Sequence, residues 1–179
     1  GEPTPTLMVH TAGTYSVEVT DTMGCRGMSD LHTIILRDLP QPHIAGPGEM
    51  CDGDTAILDA GDGYVRYAWN TGEDRRIIHA IASGQYQVRV EDSVGCSGMD
   101  RHVLLVHPRP QVGIRLDGDT LLAEGDATQW QWYHEGRPLS GENATRLMLG
   151  DTGTYQLWGT NAQGCIAWSA EFHWGRKPT

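Results

Sequence analysis

The clearest alternation of polar and apolar residues runs over positions 85–91. Tyr86, Val88 and Val90 fall on one side, and Gln85, Gln87, Arg89 and Glu91 on the other. Side chains in a strand point to opposite faces in turn, so this pattern predicts a strand with one dry and one wet face, as in an antiparallel sheet covered on one side. Similar short runs surround it at 42–45, 55–60, 65–69, 76–81 and 102–106, separated by turn-forming stretches at 61–63, 70–74, 83–84 and 92–95. Pro42 is tolerated at a strand start or edge, and Tyr67 and Trp69 share a face. No helical period interrupts these strands, and several short strands with apolar faces are most simply buried as a two-sheet sandwich.

The strand pattern recurs. GTYSVEVTDTMGC at 13–25, GQYQVRVEDSVGC at 84–96 and GTYQLWGTNAQGC at 153–165 align without gaps, which places Cys25, Cys96 and Cys165 at nearly even intervals. Pro40 and Pro42 return as Pro108 and Pro110, and Gly53-Asp54-Thr55 returns as Gly118-Asp119-Thr120, at close to the same interval. A period of roughly 70 is the size of a small all-β domain and is too long for a solenoid repeat. The chain therefore divides into the C-terminal part of one module (1–39), a complete module (40–108) and a second complete module (109–175). In the last, 129–133 is the third strand, with Trp130 and Trp132 on one face, and 136–138 is the turn beyond it. The first segment offers only a short run at 6–9, a strand carrying Tyr15, Val17 and Val19, and a run at 31–36. The paired prolines of the linkers stiffen the joints.

Composition narrows the function classes. Thirteen basic residues against 23 acidic ones give a formal charge of −10, and Lys177 is the only lysine. A nucleic-acid partner needs a basic face, so that class is excluded. No apolar run approaches the length of a membrane span. No charged-then-apolar leader opens the sequence, so any signal peptide is expected upstream or already removed. Hydrophobic residues make up 39% and glycines number 23, which fits thin cores in small sandwiches. No nucleophile elbow, metalloprotease, P-loop or dinucleotide fingerprint is present. The eight histidines have no metal-ligand spacing, and no CxxC occurs. A non-enzyme is expected.

The motifs Cys51-x-Gly53-Asp54, Tyr67-x-Trp69-Asn70-Thr71-Gly72, Gly84-x-Tyr86-x-Val88-x-Val90 and Gly95-Cys96 resemble those of the immunoglobulin-like or PKD-like modules of large secreted surface proteins of the Bacteroidetes type. The third module resembles the variant that closes such arrays. The resemblance implies an all-β chain of tandem immunoglobulin-like β-sandwich modules, the first incomplete, at the cell surface or outside the cell. Similar modules occur in adhesins, gliding-motility surface proteins and spacer regions of polysaccharide-degrading enzymes. Many such proteins leave by the type IX route with a C-terminal sorting domain; none is visible before Thr179. The expected role is a non-catalytic spacer, adhesin or surface-assembly element, filaments included. The alternative is a carbohydrate-binding accessory of a secreted hydrolase. A shared fold does not choose between them.

Four cysteines in a secreted-looking β protein predict disulfides. Cys25, Cys96 and Cys165 occupy equivalent turns, and Cys51 stands alone before the second strand of its module; near its place the third module has Arg115 or Leu116. Two pairings stay open. Cys51–Cys96 lies within one module and leaves Cys165 without a partner. Cys51–Cys165 staples two modules and leaves Cys96 awaiting a partner in the missing half of the first.

Acidic turns at Asp52 and Asp54, and at Asp117 and Asp119, offer oxygen ligands of the kind calcium takes. The EF-hand spacing is absent and the same residues form turns, so no cofactor is expected, with structural calcium as the alternative. Trp158 falls opposite Tyr155 and Leu157, where the sister segments have Arg89 and Glu18, which predicts an outward ring. Trp168 replaces Met28 and Met99, and Trp174 follows the last strand. These three are the candidates for stacking on sugars or sealing a module interface; local cover over a thin core is the plainer reading. Asn143-Ala144-Thr145 is a glycosylation sequon. The apolar face of the first segment has no opposing sheet in this chain, so either the sequence is an excerpt or another chain completes the module by strand addition. The expected partners are thus other modules of the same or neighbouring chains, and surface glycans.

Overall fold

The computed structural model describes residues 6–175, so the first five positions of the 1–39 segment lie outside the described residues. Among the described residues every regular element is a β-strand. They form two compact units, divided between Pro40 and Gln41.

The smaller unit is one bent hairpin. β1 (Gly13–Tyr15) pairs antiparallel with β4 (His32–Ile34), and β2 (Glu18–Thr20) with β3 (Arg26–Met28). The expected continuous strand is interrupted at Ser16 and Val17, where the Val17 N–H donates to the Ser29 hydroxyl at 3.0 Å. Residues 6–9 form no strand. Val17 and Val19 are 57% and 60% exposed, so the apolar face is open to solvent.

The larger unit opens with a sandwich. β5 (Glu49–Cys51), β6 (Ala56–Asp59), β7 (Arg66–Trp69), β8 (Ile77–Ala80), β9 (Gly84–Glu91) and β10 (Ser97–His107) form two sheets, in the orders β5-β10-β9-β7 and β6-β8. Ala45 bridges Asp59 beside β6. The chain crosses between sheets from β6 to β7 and back from β7 to β8, which is the two-sheet wiring of an immunoglobulin-like sandwich. Three features differ from the strand pattern of the sequence. The run at 42–45 supplies only one bridge, and β5, in a stretch with no predicted strand, pairs parallel with β10 through Glu49–Leu105, Met50–Val106 and Cys51–His107. The closing strand starts at Ser97, directly after the turn, and pairs with β9 along Gly84–Glu91.

The second sandwich repeats the plan. β11 (Val112–Asp117), β12 (Thr120–Gly125), β13 (Gln129–His134), β14 (Arg137–Pro138), β15 (Arg146–Met148), β16 (Gly153–Thr160), β17 (Ile166–Trp168) and β18 (Phe172–Trp174) follow in order. One sheet is β11-β12-β15; the other is β14-β13-β16-β17, with β18 also on β16. Arg137 and Pro138, expected in a turn, pair back on β13 after a tight turn in which Glu135 and Gly136 take positive φ. Between β17 and β18, the Ser169 hydroxyl accepts the Leu157 N–H, as the Ser29 hydroxyl accepts that of Val17, but β16 stays continuous.

Each sandwich has its own core. Leu58, Val88, Ile78, Leu104 and Trp69 fill the first; Leu121, Leu157, Leu147 and Trp132 fill the second. Burying such a side chain is worth about 1.5–3 kcal/mol. Trp69 and Trp132, on the third strands, also satisfy their indoles: Nε1 donates to Arg75 O and to Ala144 O, both at 2.8 Å. The repeated Gly-x-Tyr makes a tyrosine corner in all three repeats. The hydroxyls of Tyr15, Tyr86 and Tyr155 donate to the carbonyls of Thr11, Ala82 and Asp151 at 2.9, 2.9 and 2.8 Å. Two residues on, where antibody domains carry the second cysteine of their inter-sheet disulfide, stand the fully buried Val88 and Leu157. The sheets are thus closed by aliphatic packing, and the cysteines lie elsewhere.

Candidate functional site

The parallel pairing of β5 with the end of β10 carries Cys51 to the far end of its sandwich, across from His107. There the Asp52 N–H donates to the His107 carbonyl at 2.8 Å, extending the pairing by one bond. Cys165 sits in the β16–β17 turn of the next sandwich. The Asn161 side chain accepts the N–H groups of Gln163 and Cys165 at 3.1 and 2.9 Å, and Gly164 takes φ of 80°, a conformation that suits glycine. Cys51 and Cys165 are joined by a disulfide with S–S 2.02 Å and Cα–Cα 5.5 Å. Cys165 is fully buried.

Cys96, the other candidate partner of Cys51, carries a free thiol, as does Cys25. The Cys51–Cys96 pairing fails on distance. Cys51 lies level with His107 at one end of β10, and Cys96 precedes Ser97 at the other. At about 3.4 Å per residue the strand holds them roughly 35 Å apart, whereas a disulfide needs Cα atoms within about 7 Å.

Polar contacts surround the bond. The Arg109 guanidinium, in the Pro108–Pro110 linker, donates to Asp52 O at 2.7 Å and Asp54 Oδ1 at 2.6 Å in the first sandwich, and to Ile166 O at 3.0 Å in the second. The Asn161 amide donates to Pro108 O at 2.9 Å. Pro110 is buried. Arg109 and Asn161 were not read from the sequence as site residues; the signal was an arginine between two prolines, at a position where the earlier linker has Gln41.

Two of the acidic candidates lie at this junction. Asp54 is ion-paired with Arg109, and Asp52 supplies its carbonyl to the same guanidinium. Asp117 and Asp119 flank the β11–β12 turn, where the Asp119 carbonyl accepts the Leu149 N–H. Among the described residues no three His, Cys, Asp or Glu side chains gather as metal ligands.

The aromatic candidates divide. Trp174 pairs with Gly153 in the sheet and packs, half-buried, against the second core, so it covers that core instead of facing solvent as a platform. Trp130, on the same face of its strand as the buried Trp132, is likewise half-buried against it. Trp158 lies on the outer face of β16, across from Gln131 on one side and Trp168 on the other. Trp168 is 47% exposed and meets Tyr133 edge to face, with ring centroids 4.7 Å apart and planes at 64°. Alternation along β13 puts Tyr133 opposite Trp130 and Trp132, a signal the sequence carried. Beside Trp158, a shallow cleft of about 460 Å³ is lined also by Thr128, Gln129, Trp130, Gln131 and Asn143.

No family model matches the chain, and no curated protein matches it. Solved structures with similar architecture include murine CEACAM1b, at 13% identity and TM-score 0.39, covering 75% of this chain and 99% of that one. The insect immune protein hemolin is 16% identical with TM-score 0.38, covering 89% and 55%. The Bacteroides ovatus protein SGBP-B, solved with a mixed-linkage heptasaccharide, is 16% identical with TM-score 0.26, covering 89% and 52%. The chain spans little more than half the length of the last two. The fold is assigned from the strand order, the tyrosine corners and the buried tryptophans: an all-β chain with immunoglobulin-like β-sandwiches.

Proposed function

We propose that this chain is a non-catalytic extracellular segment whose tandem immunoglobulin-like modules act as a stiff spacer or adhesive element at a cell surface, of the kind found in large secreted surface proteins of the Bacteroidetes type. The observation that carries this reading is the junction of the two sandwiches, held by the Cys51–Cys165 disulfide and by Arg109, which bonds to both. Disulfides persist in oxidising compartments, which supports a location outside the cytoplasm. A joint closed by a covalent bond, a guanidinium bridge and two prolines keeps one module at a set angle to the next, which is what a spacer requires. Spin labels on exposed positions Asp74 and Arg137, in a chain with Cys25 and Cys96 replaced by serine, test it. A narrow distance distribution that broadens when Cys51 and Cys165 are also replaced supports the reading. An equally broad distribution in both chains defeats it.

A second reading is favoured by the cleft beside Trp158. An aromatic ring, the side-chain amides of Gln129, Gln131 and Asn143 and the Thr128 hydroxyl are groups that stack on and hydrogen-bond to sugar rings. Glycan-array binding that is lost in Trp158→Ala would establish a carbohydrate-binding accessory role. Silence across the array leaves the spacer reading in place.

A further inference from the structure

We propose that the Cys51–Cys165 bond is one instance of a repeating staple, and that Cys96 is the turn half of the preceding one. Its partner is a cysteine at the Cys51 position of an immunoglobulin-like module N-terminal to Gln41. The three turn cysteines occupy one geometry. The side chain of Asp21, Asp92 or Asn161 accepts the cysteine N–H at 2.9 Å in every case. The backbone N–H of the same residue donates to the cysteine carbonyl at 3.0, 2.9 and 3.0 Å, and the glycine before the cysteine takes φ of 84°, 88° and 80°. In the third copy this turn is bonded to the previous sandwich.

Placement agrees. Cys165 lies at the end of its sandwich where the linker enters, since Asn161 bonds to Pro108. Cys96 lies at the matching end of the first sandwich: Asp100, four residues on, accepts the N–H of Ile44 just after Pro42. A bond from Cys96 to Cys51 of its own module is excluded by the length of β10. The last sandwich has no strand paired as β5 is with β10, and β11 runs as one ladder with β12 through Leu116, so it offers no cysteine to a following module. Cys25, in the first copy of the turn, takes the same role one module earlier. On closure two thiols lose two protons and two electrons, which pass to a thiol–disulfide oxidant such as glutathione disulfide and reduce it to two thiols. The inference holds whether the array spaces or binds sugars.

The test is a chain of residues 1–108 followed directly by residues 41–179, so that a complete Cys51-bearing module precedes Cys96. After oxidation with glutathione disulfide, alkylation and digestion without reduction, the expected products are a Cys51–Cys96 peptide, a Cys51–Cys165 peptide and two alkylated thiols per chain. The Cys51–Cys165 peptide reports that the chain has folded. Four alkylated thiols, or Cys96 linked between two chains, overturn the proposal. A second measurement needs no duplication. In the folded 179-residue chain the Cys96 thiol must exchange with dithionitrobenzoate without denaturant, compared against Cys96→Ser; a thiol that reacts only after unfolding overturns it independently.

Discussion

Cys51 and Cys165 stand 114 residues apart in the chain and 5.5 Å apart at their Cα atoms. The bond joins the far end of one sandwich to the near end of the next, so it fixes a joint and leaves each core to aliphatic and tryptophan packing.

Removing this bond should loosen the joint before it loosens either core. A cross-link closing so long a loop stabilises by about 2–4 kcal/mol, mainly by restricting the unfolded chain. Cys51→Ser is expected to lower the urea midpoint by a corresponding amount, while amide protection of Val88 and Leu157 persists under native conditions. Loss of protection at both positions in native buffer would show that the bond holds the cores themselves.

The tyrosine corners should grade with burial. Tyr155 and Tyr86 are 3% and 8% exposed, whereas Tyr15 is half-buried at the surface of the small hairpin. Deleting the hydroxyl leaves the Asp151 or Ala82 carbonyl without its partner, at a cost of about 1 kcal/mol. Tyr155→Phe and Tyr86→Phe should each lower stability by that amount in urea titrations, and Tyr15→Phe by clearly less. Equal effects at all three sites would contradict the burial argument.

Gly159 allows two strands to approach closely. A Cβ there would meet Val112 Cγ2 at 2.7 Å and the Ala127 Cβ at 2.8 Å, and Gly159 is itself buried. Overfilling a packed site costs about 1–3 kcal/mol. Gly159→Ala should destabilise the second sandwich and leave the near-ultraviolet signal of Trp69 unchanged up to the first unfolding transition.

Acid should act through Asp59. The Arg76 guanidinium donates to both of its carboxylate oxygens, at 2.7 and 2.6 Å, and holds the Asp59 carboxyl below its ordinary value of 3.8. A lowered value in the folded state means that folding favours the ionised form. The contribution is therefore present above pH 3.8 and lost as pH falls through the lower folded-state value. Asp59→Asn is expected to be the less stable protein at pH 7, with the difference closing in the acid range. Denaturation midpoints of both chains across pH 2–7 check the sign; a gap that widens in acid contradicts it.

Much of the fold was legible because it follows from local rules. Alternation at 85–91 places Tyr86, Val88 and Val90 in the core, and the recurring Gly-x-Tyr and Gly-Cys segments carry a corner and a turn whose hydrogen bonds close within a few residues. Two departures have different causes. The strand through Tyr15, Val17 and Val19 is interrupted where the Ser29 hydroxyl takes the Val17 N–H, a contact that alternation does not encode, and the short β5 was hidden because its pairing is parallel and distant in sequence.

What the sequence determined by itself is what period-two alternation, turn chemistry and repetition encode: all-β modules of one recurring length, their dry faces, and three equivalent turn cysteines. Which cysteine meets which was decided only in three dimensions. The parallel run of β5 along β10 moves Cys51 to the junction, and the length of β10 takes Cys96 out of its reach. The aromatic residues divide between the two. Alternation with Tyr155 and Leu157 already turned Trp158 outward, whereas only the pairing of β18 with β16 lays Trp174 over the core. Side-chain direction is local, and the surface it meets depends on how the two sheets pack.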